Sequence, residues 1–164
     1  VVWGWDVAKS YDWTVGIALD EDGAVCRLER FQKDWRATKE HIAQVTKRRG
    51  LIDSTGVGDP ILEDLRHAGV PLEGFKFTSA SKQQIMEGLA TAIQQGLVRF
   101  PDGVIVRELE VFEYEYTRTG VRYSAPPGLH DDCVCALALA VHAFGKMARS
   151  YKPRLKFSMA GRRR

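Results

Sequence analysis

Three acidic positions in this chain fall where an acid is costly. Asp6 lies among Val1-Val2-Trp3-Gly4-Trp5 and Val7. Asp53 closes the apolar pair Leu51-Ile52. Asp131 and Asp132 stand at the mouth of an Ala/Leu/Val-rich stretch that reaches about Phe144. A carboxylate among buried neighbours loses hydration, and a partner cation or a metal ion must restore it. Singly, each has an ordinary explanation. Asp53 suits the cap of the turn that follows it, Asp131 or Asp132 suits a helix N-cap, and Asp6 suits an ion pair with Lys9. Together, acids from separate elements suit a hard divalent ion, which takes oxygen ligands and serves phosphoryl transfer.

The elements around these acids read as follows. Val1–Val7, Trp13–Leu19 and Ala24–Phe31 are three apolar, β-branched runs, the last two joined by the turn Asp20-Glu21-Asp22-Gly23. Thr38 is expected to cap a helix to about Arg49, stopped by Gly50. Leu51–Asp53 then ends a short buried strand. Asp59 caps the next helix, with Pro60 at its first position. Pro71–Phe77 is a further strand, and Ser81 opens an amphipathic helix to Gln95 with Ile85, Met86, Leu89 and Ile93 on one face. Val111–Tyr116 and Val121–Ser124 flank Arg118-Thr119-Gly120 as a β-hairpin, and Asp131 opens a nearly all-apolar final helix. Early hairpins followed by alternating strands and helices imply a mixed α/β sheet with helices on its faces.

Composition narrows the class without identifying it. The chain has 164 residues, 45% of them hydrophobic and 27% charged, which excludes a disordered polypeptide. No uninterrupted apolar stretch is long enough to span a membrane. Cys26, Cys133 and Cys135 are too few and too oddly counted for a disulfide framework, and they read as reduced thiols. The net charge of +3 divides unevenly. Eight basic residues and no acid lie from Lys146 onward, leaving 16 basic against all 21 acidic residues before it, a balance of −5. Residues 1–150 are expected to form the domain and 151–164 a basic tail.

The motifs carry a more specific resemblance. Gly4-Trp5-Asp6-Val7-Ala8-Lys9-Ser10-Tyr11-Asp12-Trp13-Thr14-Val15 resembles the opening of the nuclease domain of phage terminase large subunits. Asp53-Ser54-Thr55-Gly56-Val57-Gly58-Asp59-Pro60 is similar to the second acidic motif of that family. His130-Asp131-Asp132-Cys133-Val134-Cys135-Ala136 is similar to its third, and Ser81-Lys82 before a helix also fits. The resemblance covers nearly the whole chain in order. It implies a ribonuclease H-like fold, a mixed central sheet flanked by helices with a β-hairpin added before the last one. It also implies a metal-dependent endonuclease that cuts concatemeric double-stranded DNA with two Mg²⁺ or Mn²⁺ ions about 4 Å apart.

In that reading Asp6 is the ligand shared by both ions, Asp53 binds one, and Asp131 and Asp132 complete the site, the motif leaving open which of the pair touches metal. Asp59 is the rival of Asp53, with helix capping as its ordinary role. Asp12 falls at the rim. His130 either touches the scissile phosphate or solvates its loop, and Lys82 either contacts phosphate or is an exposed first-turn lysine. Arg118, Arg122 and Lys9 are the leading candidates to meet the DNA backbone. The family implies further partners: an ATPase motor domain in the same full-length chain, the small terminase subunit and the portal, in a host-cytoplasmic packaging complex with no membrane. Thr55-Gly56-Val57-Gly58 lacks the phosphate-loop pattern, so ATP hydrolysis is not expected of these residues. The competing expectations are a Holliday-junction resolvase, another ribonuclease H-like nuclease, or a noncatalytic DNA-binding or motor-docking module.

Overall fold

Alternation along the first strand decides how the domain is layered. In β1 (Val2–Asp6) every residue up to Trp5 is buried, so both faces of the strand are covered. Only a strand inside a sandwiched sheet needs apolar residues in both registers. Val2 and Gly4 face one layer of helices, and Asp6, two residues on, shares that face. Trp3 and Trp5 face the other, with their rings stacked 5.2 Å apart. The computed structural model describes residues 1–8, 12–56, 58–118 and 120–150.

β2 (Thr14–Leu19) pairs antiparallel with β1, and β3 (Val25–Phe31) antiparallel with β2. β4 (Gly50–Asp53) runs parallel to β1, and β5 (Leu72–Phe75) parallel to β4. The sheet order is β3-β2-β1-β4-β5, the mixed sheet expected, with β1 at its centre. On the tryptophan face lie α1 (Trp35–Val45) and α2 (Gly58–His67), which contribute Ile42, Ile61, Leu62 and Leu65. The opposite face carries α3 (Ser79–Gln94), α4 (Val104–Val111) and α5 (Asp132–Ser150). Ile85, Met86, Leu89, Ile105 and the whole run from Cys133 to Ala140 fill that layer. Between α4 and α5, β6 (Glu113–Thr117) and β7 (Gly120–Ser124) form the separate hairpin that the sequence implied.

One contact sets the height of α5 above the sheet. A Cβ added to Gly4 would lie 2.2 Å from the Ala136 carbonyl oxygen and 2.3 Å from the Ala140 nitrogen. Glycine is therefore required there for helix backbone to rest directly on strand backbone.

Several element ends differ from the sequence reading, each for a visible reason. α1 begins at Trp35 because Asp34, not Thr38, caps it: the Asp34 side chain accepts the Ala37 N–H at 2.8 Å. Thr38 is buried inside the helix and donates to the Lys33 carbonyl. The same helix ends at Val45, and Gly50 is the first residue of β4. α3 is capped by Thr78, with Ser81 as the reciprocal partner in a capping box. Ile93 is partly exposed, and Ala92 takes its place in the core. α4 has no counterpart among the expected elements and takes Val111 from the expected hairpin strand, which starts at Glu113 instead, and α5 extends past Phe144 to Ser150. Among the described residues no helix is long and apolar enough to cross a membrane. The basic tail, 151–164, lies outside the described residues.

Candidate active site

β1 and β4 are parallel neighbours, so their carboxyl ends meet. Trp5 pairs with Ile52, and one step further along each strand stand Asp6 and Asp53. Adjacent strands lie about 4.8 Å apart, which brings these two acids side by side on the α5 face. Asp131 and Asp132 arrive from above, at the head of α5. Asp6, Asp53, Asp131 and Asp132 line one cavity of about 190 Å³ with Asp12, Phe77, Lys82 and Cys135.

Each acid is held in its own way. Asp53 is 4% exposed, and one of its oxygens accepts the Thr55 N–H at 2.8 Å, the turn-capping bond its position allowed. Thr55 in turn accepts the Phe77 N–H at 2.8 Å, which ties the loop after β4 to the end of β5. Asp131 accepts from the Ala125 N–H at 3.4 Å and lies 3.8 Å from the Lys82 ammonium. Asp132 is 8% exposed, and its Oδ2 is buried without a hydrogen-bond partner, although His130 Nδ1 stands 3.5 Å away.

The electrostatics follow from this crowding. Burial holds the Asp6 carboxyl well above the usual carboxylate range, and Asp53, Asp132 and Asp131 push it further, with Lys82 opposing them. Asp132 is raised to about 6, by burial first and then by Glu108, Asp12 and Asp131, with His130 opposing. Burial also pushes the Cys133 and Cys135 thiols up, so both stay protonated near neutral pH. Among the described residues no three acidic, histidine or cysteine side chains close into a ready ligand cage. Like charges that repel do not converge on one point unaided. The residues fit a hard divalent cation by donor type: four carboxylates, a buried unpartnered oxygen and no competing thiolate.

A pH dependence follows. A carboxyl raised on folding binds a proton that the unfolded chain releases, so its contribution is present at low pH and lost as pH rises through its folded value. The metal-free domain is expected to lose thermal stability between about pH 4 and about pH 6, the interval over which Asp132 is shifted. Added Mg²⁺ should raise the melting temperature more above that interval than below it. Thermal scans in chelator and in Mg²⁺ across this range measure both, and an equal Mg²⁺ effect at either end would contradict the assignment.

The remaining candidates separate cleanly. Asp12 lines the acidic cavity at its rim, and His130 stands beside it, with Nδ1 3.9 Å from Asp12 and the side chain 44% exposed. Asp59 is outside the cavity, and it does not cap α2 as its place before Pro60 suggests: the helix already starts at Gly58, so Asp59 lies inside the first turn and pairs with Lys76 at 2.9 Å. Lys82, in the first turn of α3, joins the acidic cavity to a larger groove of about 570 Å³. Arg122 lines that groove with Thr78, Ser79 and Thr117. Arg118 is exposed at the hairpin turn, and Lys9 lies outside the described residues.

One residue escaped the sequence reading. Glu108 of α4 is 6% exposed, and its Oε2 accepts the Cys133 N–H at 2.7 Å, inside the first turn of α5. Its signal was helical periodicity: Glu108 follows buried Ile105 by three residues, on the same face.

A central β1 flanked by antiparallel β2 and parallel β4, with acids at the two strand ends and at the head of the last helix, defines a ribonuclease H-like nuclease fold. Within that class the chain belongs to the terminase RNaseH-like domain family, whose model matches residues 3–144. It is similar to the large terminase nuclease of the thermophilic phage G20c, solved with bound magnesium. Identity is 31% and the TM-score 0.79, over 86% of this chain and 79% of that one. The large terminase nuclease domain of Thermus phage P74-26 matches at 29% identity and TM-score 0.74, over 85% and 77%. The nuclease domain of the large terminase subunit gp2 of bacterial virus Sf6, 15% identical with a TM-score of 0.62 over 86% and 87%, shares the fold. No curated protein matches the chain. Membership supports a nuclease role on DNA in the setting of viral genome packaging.

Proposed function

We propose that this chain is the metal-dependent endonuclease domain of a DNA-packaging terminase and cuts concatemeric double-stranded DNA by two-metal phosphodiester hydrolysis. The observation that carries the reading is the convergence of Asp6, Asp53, Asp131 and Asp132, from three separate elements, on one cavity. Asp6 would be the ligand shared by the ions, Asp53 would serve one, and Asp131 with Asp132 would complete the set. Bound Mg²⁺ or Mn²⁺ supplies Lewis-acid polarisation of the phosphate and an activated water at neutral pH. The magnesium in the G20c nuclease supports this choice of ion.

The chain's own residues do the rest. Lys82 stands where cavity and groove join, so its ammonium can hold a phosphate oxygen of the strand being cut. His130 sits at the rim between Asp12 and Asp132, within reach of a phosphate entering the cavity. Arg122 in the groove, with Arg118 and Lys9, binds the backbone of either strand without reading bases. The partners are the ATPase motor domain of the same full-length chain, the small terminase subunit and the portal, in the host cytoplasm.

The test is cleavage. Supercoiled plasmid should be nicked and linearised with Mg²⁺ or Mn²⁺ and left intact in chelator. A preference for four-way junctions would indicate a resolvase instead, and cleavage confined to the RNA strand of a hybrid a ribonuclease H. Intact plasmid together with unaltered metal binding by Asp6→Asn would leave the noncatalytic module.

A second measurement addresses DNA contact. Arg122→Ala is expected to weaken binding of unrelated duplexes alike and to reduce the slope of log K against log salt by about 1, the effect of one phosphate contact. An unchanged slope would remove Arg122 from the interface.

A further inference from the structure

Asp131 occupies the N-cap position of α5, since its carbonyl accepts the Cys135 N–H at 2.9 Å. An aspartate there ordinarily turns its side chain back onto the second or third N–H of its own helix. Asp131 does not. Its carboxylate is directed instead to the Ala125 N–H and toward Lys82, on the wall of the acidic cavity. One of the two N–H groups open to an aspartate cap, that of Cys133, goes to Glu108 Oε2 at 2.7 Å. Bulk solvent does not reach this N–H, because Cys133 is fully buried and Glu108 nearly so. A buried helix N-terminus left without an acceptor is costly.

We propose that Glu108 is a positioning residue of the nuclease centre. By capping α5 from α4, it releases Asp131 from that duty and keeps the Asp131-Asp132 pair turned toward Asp6. The inference rests on the nuclease reading above and adds a residue that the acidic motifs do not contain. Negative charge at this place also complements the helix dipole, but the geometry makes the accepted bond the operative feature. Removing the acceptor leaves the Cys133 N–H orphaned, and Asp131, as the N-cap residue, is placed in sequence to take it at the cost of leaving the cavity wall.

Three substitutions separate this from a merely structural role. Glu108→Met keeps length and volume without an acceptor. Glu108→Gln keeps an acceptor without charge. Glu108→Asp keeps charge but withdraws it by one methylene. Mn²⁺ affinity, read by electron paramagnetic resonance of the free ion, and plasmid-cleavage kcat and KM are compared for folded protein. The Met and Asp variants are expected to lose about 10- to 100-fold in Mn²⁺ affinity and in kcat with little change in KM, the scale of a lost ligand-orienting partner. Gln should remain within about threefold of wild type. Should Met fail to fold, the Asp and Gln pair carries the same contrast. A folded Met or Asp variant with wild-type Mn²⁺ affinity, or a Gln variant as impaired as Met, overturns the inference. A wild-type domain that neither binds Mn²⁺ nor cuts plasmid overturns the nuclease reading and this inference with it. Wild-type function with indifferent Glu108 variants overturns this inference alone.

Discussion

Asp6→Asn is expected to abolish cleavage, by on the order of 10³-fold or more, while leaving the metal-free domain at least as stable as wild type. The two effects have one cause. Asp6 is the acid on which Asp53, Asp131 and Asp132 all press, and its carboxyl is held well above the usual range by burial and by them. In chelator that crowding is a cost, and an uncharged amide of the same shape relieves it. With metal present the same charge is what neutralises the ions, and the amide cannot replace it. Plasmid cleavage and thermal unfolding, each with and without Mn²⁺, should therefore move in opposite directions. The Mn²⁺-dependent rise in melting temperature should shrink along with activity. Asp53→Asn should lose cleavage similarly, whereas Asp59→Asn, which only breaks an exposed pair with Lys76, should retain it. Activity lost at Asp59 and kept at Asp53 would reverse the assignment of the second motif.

Gly4→Val should be the most damaging substitution away from the acids. The new Cβ would meet the carbonyl oxygen of Ala136 and the nitrogen of Ala140, both backbone atoms of a helix already buried along that face. No rotamer avoids the collision, so helix or strand must shift. The cost should be about 3 kcal/mol, the upper range for overpacking. For a chain of this size that lowers the melting temperature by roughly 6–12 °C. The shift also lifts the head of α5, so Mn²⁺ affinity should fall even in the molecules that stay folded. Calorimetry and Mn²⁺ titration of the same sample measure both. A variant within about 2 °C of wild type would mean that α5 does not rest on β1 as described.

Much of the fold was readable because the central strands carry their instructions locally. Val, Trp, Gly and Asp alternate along β1 with hydrophobic residues in both registers, which is how a strand covered on both faces must read. The misplaced Asp6 and Asp53 were legible for the same reason, being acids in otherwise apolar strands. Helix ends were less legible. Asp34 and Thr38 are both good caps four residues apart, and Thr38 lost because its side chain is buried, a tertiary fact. α4 was missed because Val104, Val106 and Val111 favour strand when read alone. With α4 went Glu108, whose importance depends on the head of a helix 25 positions away. The contrast between Asp53 and Asp59 also needed three dimensions. Only the side-by-side ends of β1 and β4 distinguish an acid in the cavity from an acid on the flank of α2.

The hairpin of β6 and β7 differs in kind from everything that carries an acid. Among the described residues it pairs only with itself and meets the body chiefly where β7 lies against α3. Asp6, Asp53 and Asp132 belong instead to β1, β4 and α5, the elements packed deepest in the domain, with Asp131 at the N-cap of α5, and such elements are expected to open only with most of the fold. Local fluctuation is thus partitioned: the wall carrying Arg122 can breathe on its own, whereas the acids share the lifetime of the folded state. On the proposed function, a strand of varying shape would be admitted and released without the four acids losing register.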